Sequence, residues 1–408
     1  MSAMFLFGAG ASIDAGLSDA FTLTEDIYQR LNNGYQKDAA KIFGLVVAKV
    51  IAKKVRVGGS PFDRVNVEDV YDGIQRLASR ETDILSDFVT GWDPGLALFR
   101  RRVDERDVER AFESLLNSVR ADNFIGRGRV RLNLGAARPI QELLAKATDT
   151  SLGDNIGPVT DSLLRALVES LEHDSQRIDY FGRLIEIAKA NAADLTTLNY
   201  DLIAESSAES LRLAYDYGLE KWNDEKIVSF GRTSASSVRI IKLHGSINWF
   251  ANDDDIEVKQ SEARLYRRIP NLVFGGAGNK LRIDGPFLQL RHEFQIRLLK
   301  TNTLVVVGYS FQDEHLNSII RRWTNTRRKA KLIVVNPSPV GSFAGSIGLP
   351  YTKDDKGKIG NLTVDLIHIQ TGAAAAVDAL EQALAQGIEL ERPEANGFLP
   401  HVHFRRVA

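Results

Sequence analysis

The sequence predicts an α/β protein: a Rossmann-like, mostly parallel sheet flanked by helices, with a large helical insertion after the first strand. Three observations carry this. The opening AMFLF, residues 3–7, is an unbroken apolar run that ends in a glycine turn at Gly8. From Asp194 onward, short β-rich runs return: ADLTTL, VRIIKL, NLVF, TLVVVG, KLIVVN and TVDLIHI. Several are apolar throughout, as strands buried on both faces of a parallel sheet are. Between these regions, from about Ser18 to Ala190, apolar residues recur at helical spacing.

The elements follow in chain order. NVEDVYDGIQRLAS places Val67, Val70, Tyr71, Ile74 and Leu77 on one helical face, with Asn66 as N-cap and Asp69 at the reciprocal capping position. TDSLLRALVESLEH repeats the pattern with Leu163, Leu164, Leu167, Val168 and Leu171. Breaks at Gly58-Gly59 and Gly126-Arg127-Gly128 read as loops between helices. The expected division is a sheet domain built from residues 1–30 and 190–375, a helical insertion over 31–189, and a C-terminal helix with a polar tail over 376–408.

Composition narrows the function classes. Of 408 residues, 44% are hydrophobic and 26% charged, the balance of a soluble globular protein. A net charge of −1 gives no global field toward nucleic acid or an anionic membrane. With no cysteine, disulfides, thiolate metal sites and thiol nucleophiles are all excluded, and a reducing cytoplasm is the expected compartment. The apolar run Ile42 to Ala48 ends at Lys49, well short of a bilayer's thickness. The N-terminus has no basic region before its apolar stretch, so no secretory signal is expected.

Five strand ends carry small or polar groups. In the first turn, Gly8, Ala9, Gly10, Ala11 and Ser12, the glycines let backbone approach a ligand and Ser12 offers a hydroxyl where a helix is expected to begin. The dehydrogenase fingerprint wants a third glycine where Ile13 stands, and the ATPase lysine loop GxxxxGK[ST] is absent. In TTLNYD, Thr197, Asn199 and Asp201 alternate just past an apolar strand, where open α/β sheets bind ligands. Asp201 also suits capping of the helix that follows. His244 in KLHG brings an imidazole to the same edge. Gly308 and Ser310 end one further run, with Ser310 and Asp313 spaced as a capping box, and Asn336 ends another before Pro337, where it suits starting a turn. His401 and His403 form an HxH pair in the tail and read as an ordinary surface tail.

Taken together, GAGAS at Gly8–Ser12, TxNxD at Thr197–Asp201, HG at His244, GxS at Gly308 and VN at Asn336 resemble the sirtuin-like superfamily, particularly its bacterial antiphage-defence branch. Two features set the chain apart from sirtuin deacylases. It lacks the four-cysteine zinc module, and where those enzymes read GIPDFR it has Gly16, Leu17, Ser18, Asp19, Ala20 and Phe21. The resemblance therefore implies an NAD+ glycohydrolase without zinc, in which NAD+ is the substrate. It assigns the Gly8–Ser12 turn to the pyrophosphate and adds Asp19 to the binding set. It gives Asn199 the ribose and attacking water, and makes His244 the base or hydroxyl partner. Thr197 and Asp201 support them, while Gly308, Ser310 and Asn336 bind, the latter two at the adenosine half. It further implies control in trans, as a homo-oligomer assembled through the helical insertion and paired with a HerA-type hexameric ATPase. Contact with nucleic acid would then be only indirect, and contact with membranes none. A non-hydrolytic NAD+ or ADP-ribose sensor, a zinc-free deacylase or ADP-ribosyltransferase, and a structural subunit of an ATPase complex are the alternatives.

Overall fold

The computed structural model describes residues 3–34, 36–79, 153–171, 177–231, 234–252, 255–258, 270–273, 285–327, 330–349, 364–385 and 402–407. Its centre is an eight-stranded sheet. Strand β1 (Ala3–Phe7) lies in the middle, with β2 (Asp194–Thr197), β4 (Ser237–Lys242) and β3 (Ala214–Asp216) on one side. On the other side lie β8 (Thr303–Val307), β9 (Ala330–Val335), β10 (Val364–Ile369) and β11 (Val402–Val407). All pairings are parallel except β10 with β11. The mostly parallel sheet is as the apolar runs imply. Met4, Phe5, Leu6 and Phe7 are each 0% exposed, so every side chain of this central strand contributes on the order of 1.5–3 kcal/mol of burial.

Helices α1 (Thr22–Asn33), α2 (Lys37–Arg56), α3 (Val67–Ala78), α4 (Gly153–Ser170) and α5 (Asp179–Ala190) occupy the chain between β1 and β2. Val67, Val70, Tyr71 and Ile74 are buried as their spacing predicts, and so are Leu163, Leu164, Leu167, Val168 and Leu171. Asn66 caps α3 through its side-chain oxygen, which accepts from the Glu68 N–H at 2.9 Å. The predicted loop at Gly126-Arg127-Gly128 lies outside the described residues. Helix α5 docks on β1 and β2, with Phe181 and Phe7 ring centroids 4.8 Å apart. Helices α6 (Ile203–Ser210), α8 (Phe287–Lys300), α9 (Glu314–Thr326) and α10 (Val377–Ala385) complete the helical packing. A one-turn helix, α7 (Trp222–Glu225), precedes β4. Among the described residues no helix is long and apolar enough to cross a membrane.

Two sequence expectations need correction. NLVF does not join the parallel sheet. Its strand β7 (Pro270–Leu272) pairs antiparallel with β5 (Gly245–Asn252), which also pairs with β6 (Asp255–Val258) in a separate three-stranded sheet. A run of four apolar-rich residues cannot distinguish these partners, because both bury it. The tail is also more than polar coil. VHFRRV, which alternates apolar and polar residues, adds strand β11 to the open edge of β10. His403 lies in that strand and His401 outside the described residues.

Candidate functional site

Register aligns the strand ends. Phe7 of β1 stands beside Thr197 of β2 and Val307 of β8; Thr197 in turn neighbours Lys242 of β4, and Val307 neighbours Val335 of β9. The ladder runs one residue further. Gly8 N–H donates to Val307 O, Leu198 N–H to Phe7 O, Leu243 N–H to Thr197 O and Gly308 N–H to Val335 O, at 2.9–3.0 Å. All five chains therefore leave the sheet along one edge. The strand order also reverses here, since β2 lies on one side of β1 and β8 on the other, which opens a crevice at the carboxyl ends.

The first turn fits against β8 backbone to backbone. Gly10 N–H donates to Gly308 O at 2.8 Å, and a Cβ on Gly8 would meet Tyr309 Cα at 2.6 Å. Only glycine permits that approach. The turn does not lead directly into an α-helix, as Ser12 was expected to mark. It passes through two short 3-10 turns, Ala9–Ala11 and Ile13–Ala15, and α1 begins at Thr22. Ala9 is exposed at the turn, Ala11 is buried, and the Ala11 carbonyl accepts from the Tyr180 hydroxyl.

Asn199 joins the first two strand ends. Its amide donates to Gly8 O at 3.0 Å and to Ser12 Oγ at 2.9 Å. Ser12, 3% exposed, donates in turn to Asp201 Oδ2 at 2.7 Å. The Asn199 backbone is held by the Thr197 hydroxyl, which accepts its N–H at 3.0 Å. Both amide protons of Asn199 are thus committed, and Oδ1 is the atom left to accept from a ligand. Asp201 fills its expected capping role as well, with Oδ1 accepting from Ile203 N–H at the start of α6. Burial pushes its carboxyl above the usual carboxylate range, against the opposing pull of Lys242, Ser12 and the Ile203 N–H.

Lys242, whose sequence setting marked only a strand, is a fully buried cation. Its ammonium lies 2.9 Å from Glu205 Oε1 and also donates to the Asp201 carbonyl. Tyr217 donates to the same Glu205 oxygen at 2.8 Å. A cation with 0% exposure lies beside a carboxylate with 4%, so removing either leaves the other's charge buried without its ion-pair partner. Replacing Lys242 with methionine is expected to cost about 3–5 kcal/mol in denaturant unfolding, and adding Glu205→Gln to recover much of it. A single-variant loss below about 1 kcal/mol would show the pair to be dispensable.

His244 sits in the turn after β4, 5% exposed, with Nε2 3.1 Å from Asp313 Oδ2. Asp313 caps α9, its Oδ1 accepting from the His315 and Leu316 N–H groups at 3.0 and 3.1 Å. The cap is therefore Asp313, and Ser310, three residues earlier, is exposed rather than part of a capping box. Asn336 is held as a turn residue, with its amide donating to Tyr309 O at 2.9 Å and its oxygen accepting from Ser338 N–H at 2.8 Å. Asp19 Oδ1 accepts from Phe21 and Thr22 N–H at 3.2 and 2.7 Å. Burial works upward on its carboxyl, but these N–H groups, the Thr22 hydroxyl and Arg64 hold it below the usual range.

The structure brings Gly8, Gly10, Ser12, Thr197, Asn199 and Asp201 into one connected cluster with Gly308 against it. His244 and Asn336 leave the same sheet edge on their own partners, and Asp19 lies at the start of α1. Asp313 and Tyr200 are the participants that sequence reading missed. The Tyr200 hydroxyl donates to Val273 O at 3.0 Å and meets Glu68 of α3 at 3.2 Å, so an insertion helix touches the segment that carries Asn199. Tyr200 is signalled only by adjacency to Asn199, and Asp313 only as a helix-start residue.

No curated protein matches the chain. A Sir2 homologue solved with NAD is similar over 94% of this chain and 89% of its own, at 12% identity and a TM-score of 0.39. A Sir2 homologue variant in complex with ADP-ribose is similar over 59% and 80%, at 12% identity and a TM-score of 0.35. By sequence, residues 194–344 match the SIR2-like domain, a stretch that takes in Asn199, His244, Gly308 and Asn336 and leaves the β1 turn outside it.

Proposed function

We propose that the crevice binds NAD+ and cleaves its nicotinamide–ribose bond, releasing nicotinamide and ADP-ribose. The observation that carries this reading is Asn199. A buried amide spends both protons on Gly8 O and Ser12 Oγ and keeps its oxygen for a ligand, while His244 stands at the next strand end. A hydrolysis needs these parts. The glycosidic C–N bond breaks with its electron pair leaving on neutral nicotinamide, so no strong general acid is required. The cationic ribose carbon is then attacked by one water, which surrenders a proton to a base. Asn199 Oδ1 accepts from and orients that water or a ribose hydroxyl, and His244 takes the proton. The Gly8–Ser12 turn, pressed on Gly308, receives the pyrophosphate; Thr197, Asp201 and Asp19 hold the surrounding backbone; Ser310 and Asn336 meet the adenosine half.

The same reading makes the chain an effector that depletes NAD+ in antiphage defence, as a homo-oligomer governed by a HerA-type ATPase. Exposed Val57 and Phe62 at the end of α2, 82% and 92% accessible, support an assembly surface on the insertion. The test is nicotinamide release from NAD+ by the chain with and without that ATPase. Wild type is expected to release nicotinamide and His244→Ala to lose about 10²–10⁴-fold, the usual worth of a positioned base. Equal rates in both would remove His244 from the chemistry.

A further inference from the structure

Among the described residues, Asp313 is the carboxylate that the structure places on the imidazole of His244. The two groups are 5% and 3% exposed, and they belong to different elements, the turn after β4 and the N-terminus of α9, 69 residues apart. Each oxygen of Asp313 has its own work: Oδ1 accepts two N–H groups of α9, and Oδ2 faces Nε2. A second brace fixes the backbone. The Tyr309 hydroxyl accepts from the Asp313 N–H at 3.1 Å, lies 3.2 Å from its carbonyl and 3.0 Å from Asn317 Oδ1. The carboxylate can therefore not turn away from the ring without uncapping α9.

We infer that Asp313 is the positioning residue for His244: its carboxylate keeps the ring proton on Nε2 and leaves Nδ1 as the proton acceptor. This rests on the NAD+-cleaving reading of the crevice, for which Nδ1 is then the atom that takes the proton from water or a ribose hydroxyl. A carboxylate accepts only, so the neutral ring must present Nε2–H to it. The same charge favours the imidazolium formed once the proton arrives. The other groups that face the pair are Arg291 of α8, whose charge acts on Asp313 and whose buried Nη1 has no hydrogen-bond partner among the described residues, and the phenols of Tyr200 and Tyr309. Burial holds both phenols above their ordinary range, with the charges of Glu68 and Asp313 adding to it at Tyr200 and that of Asp313 at Tyr309. On α9 itself, Glu314 and His315 are the adjacent titratable groups.

Asp313→Asn tests this while sparing the fold, because asparagine caps a helix as well as aspartate does. The assay is kcat and KM for nicotinamide release by the full chain with the proposed ATPase. The expected result is a loss of about 10²–10⁴-fold in kcat at neutral pH, with KM for NAD+ little changed. Glu314→Gln, which removes the neighbouring carboxylate, should leave both constants unchanged. Nitrogen NMR of the histidine ring gives a readout independent of turnover, with His244 assigned by its absence from His244→Gln. Wild type should show the Nε2–H tautomer, and Asp313→Asn a shift toward Nδ1–H. An Nδ1–H tautomer in wild type, or an unchanged tautomer in Asp313→Asn, would overturn the assignment. Absent turnover in wild type with the expected tautomer shift would remove the NAD+-cleaving reading and leave the Asp313–His244 relation standing.

Discussion

Asn199→Ala should reduce nicotinamide release by about 10²–10³-fold or more, a larger effect than its cost in stability. The residue acts twice. In the proposed reaction its oxygen accepts from the attacking water or a ribose hydroxyl; in the structure its amide ties Gly8 and Ser12 to the end of β2. Alanine removes the first function outright. It also takes one hydrogen bond each from the Gly8 carbonyl, which keeps the Ala11 N–H at 2.9 Å, and the Ser12 hydroxyl, which keeps Asp201, at about 0.5–1.5 kcal/mol per bond. The two losses separate experimentally. Thermal unfolding reads the structural part, and turnover at saturating NAD+, well below the melting range, reads the chemical part. A variant with full kcat and a depressed melting temperature would make Asn199 a structural clasp only.

Gly308→Ala is expected to be the most damaging single methyl group in the chain's binding half. Its φ is +66°, and a Cβ there would stand 2.1 Å from Ala11 N and 2.3 Å from Gly10 C. These are backbone atoms of the turn, itself bound to Gly308 by the Gly10 N–H. Nothing flexible can give way, so the turn must lift from β8. The left-handed backbone adds about 1–2 kcal/mol, and the lifted turn should forfeit NAD+ binding along with several kcal/mol of stability. Gly345→Ala is the internal control. Nothing lies within 4 Å of a Cβ at that position, so it should melt within a few degrees of wild type. Indistinguishable NAD+ affinity in Gly308→Ala would contradict the close seating of turn on strand.

Much of this site was legible because it depends on local rules. A strand that ends in glycine, asparagine or histidine declares an exposed ligand edge when its body is apolar, and register then brings the ends together. Phe7, Thr197, Lys242, Val307 and Val335 align across the sheet, so the residues beyond them emerge in one row. Asp201's capping of α6 is equally local. What escaped is what only tertiary packing decides. Asp313 was visible as a helix-start residue, but its choice of His244 spans two elements and has no spacing rule. Lys242 reads as an ordinary polar strand residue until α6 brings Glu205 to it. The helix expected after Ser12 gave way to two short turns because Gly16, at φ +89°, redirects the chain before α1. The antiparallel pairing of β7 depended on β5, a strand whose text, GSINWFAN, alternates only over Ser246–Trp249 and does not name its partners.

These residues also say why the crevice is built as it is. Asn199, Ser12 and Asp201 form a relay of short bonds that fixes the first turn against β2, and the Gly10–Gly308 contact fixes it against β8. A rigid floor of this kind positions a ligand without spending ligand binding on ordering the protein. Tyr200 extends the relay outward to Glu68 of α3, which gives the insertion a physical contact with the segment that carries Asn199.

The central claim is tested most directly by the products. NAD+ incubated with the chain, with and without the proposed HerA-type ATPase, should yield nicotinamide and ADP-ribose in equal amounts, resolved by chromatography, with neither formed by the Asn199→Ala, His244→Ala double variant. NAD+ that binds the wild-type complex and is recovered intact under every activating condition would contradict it.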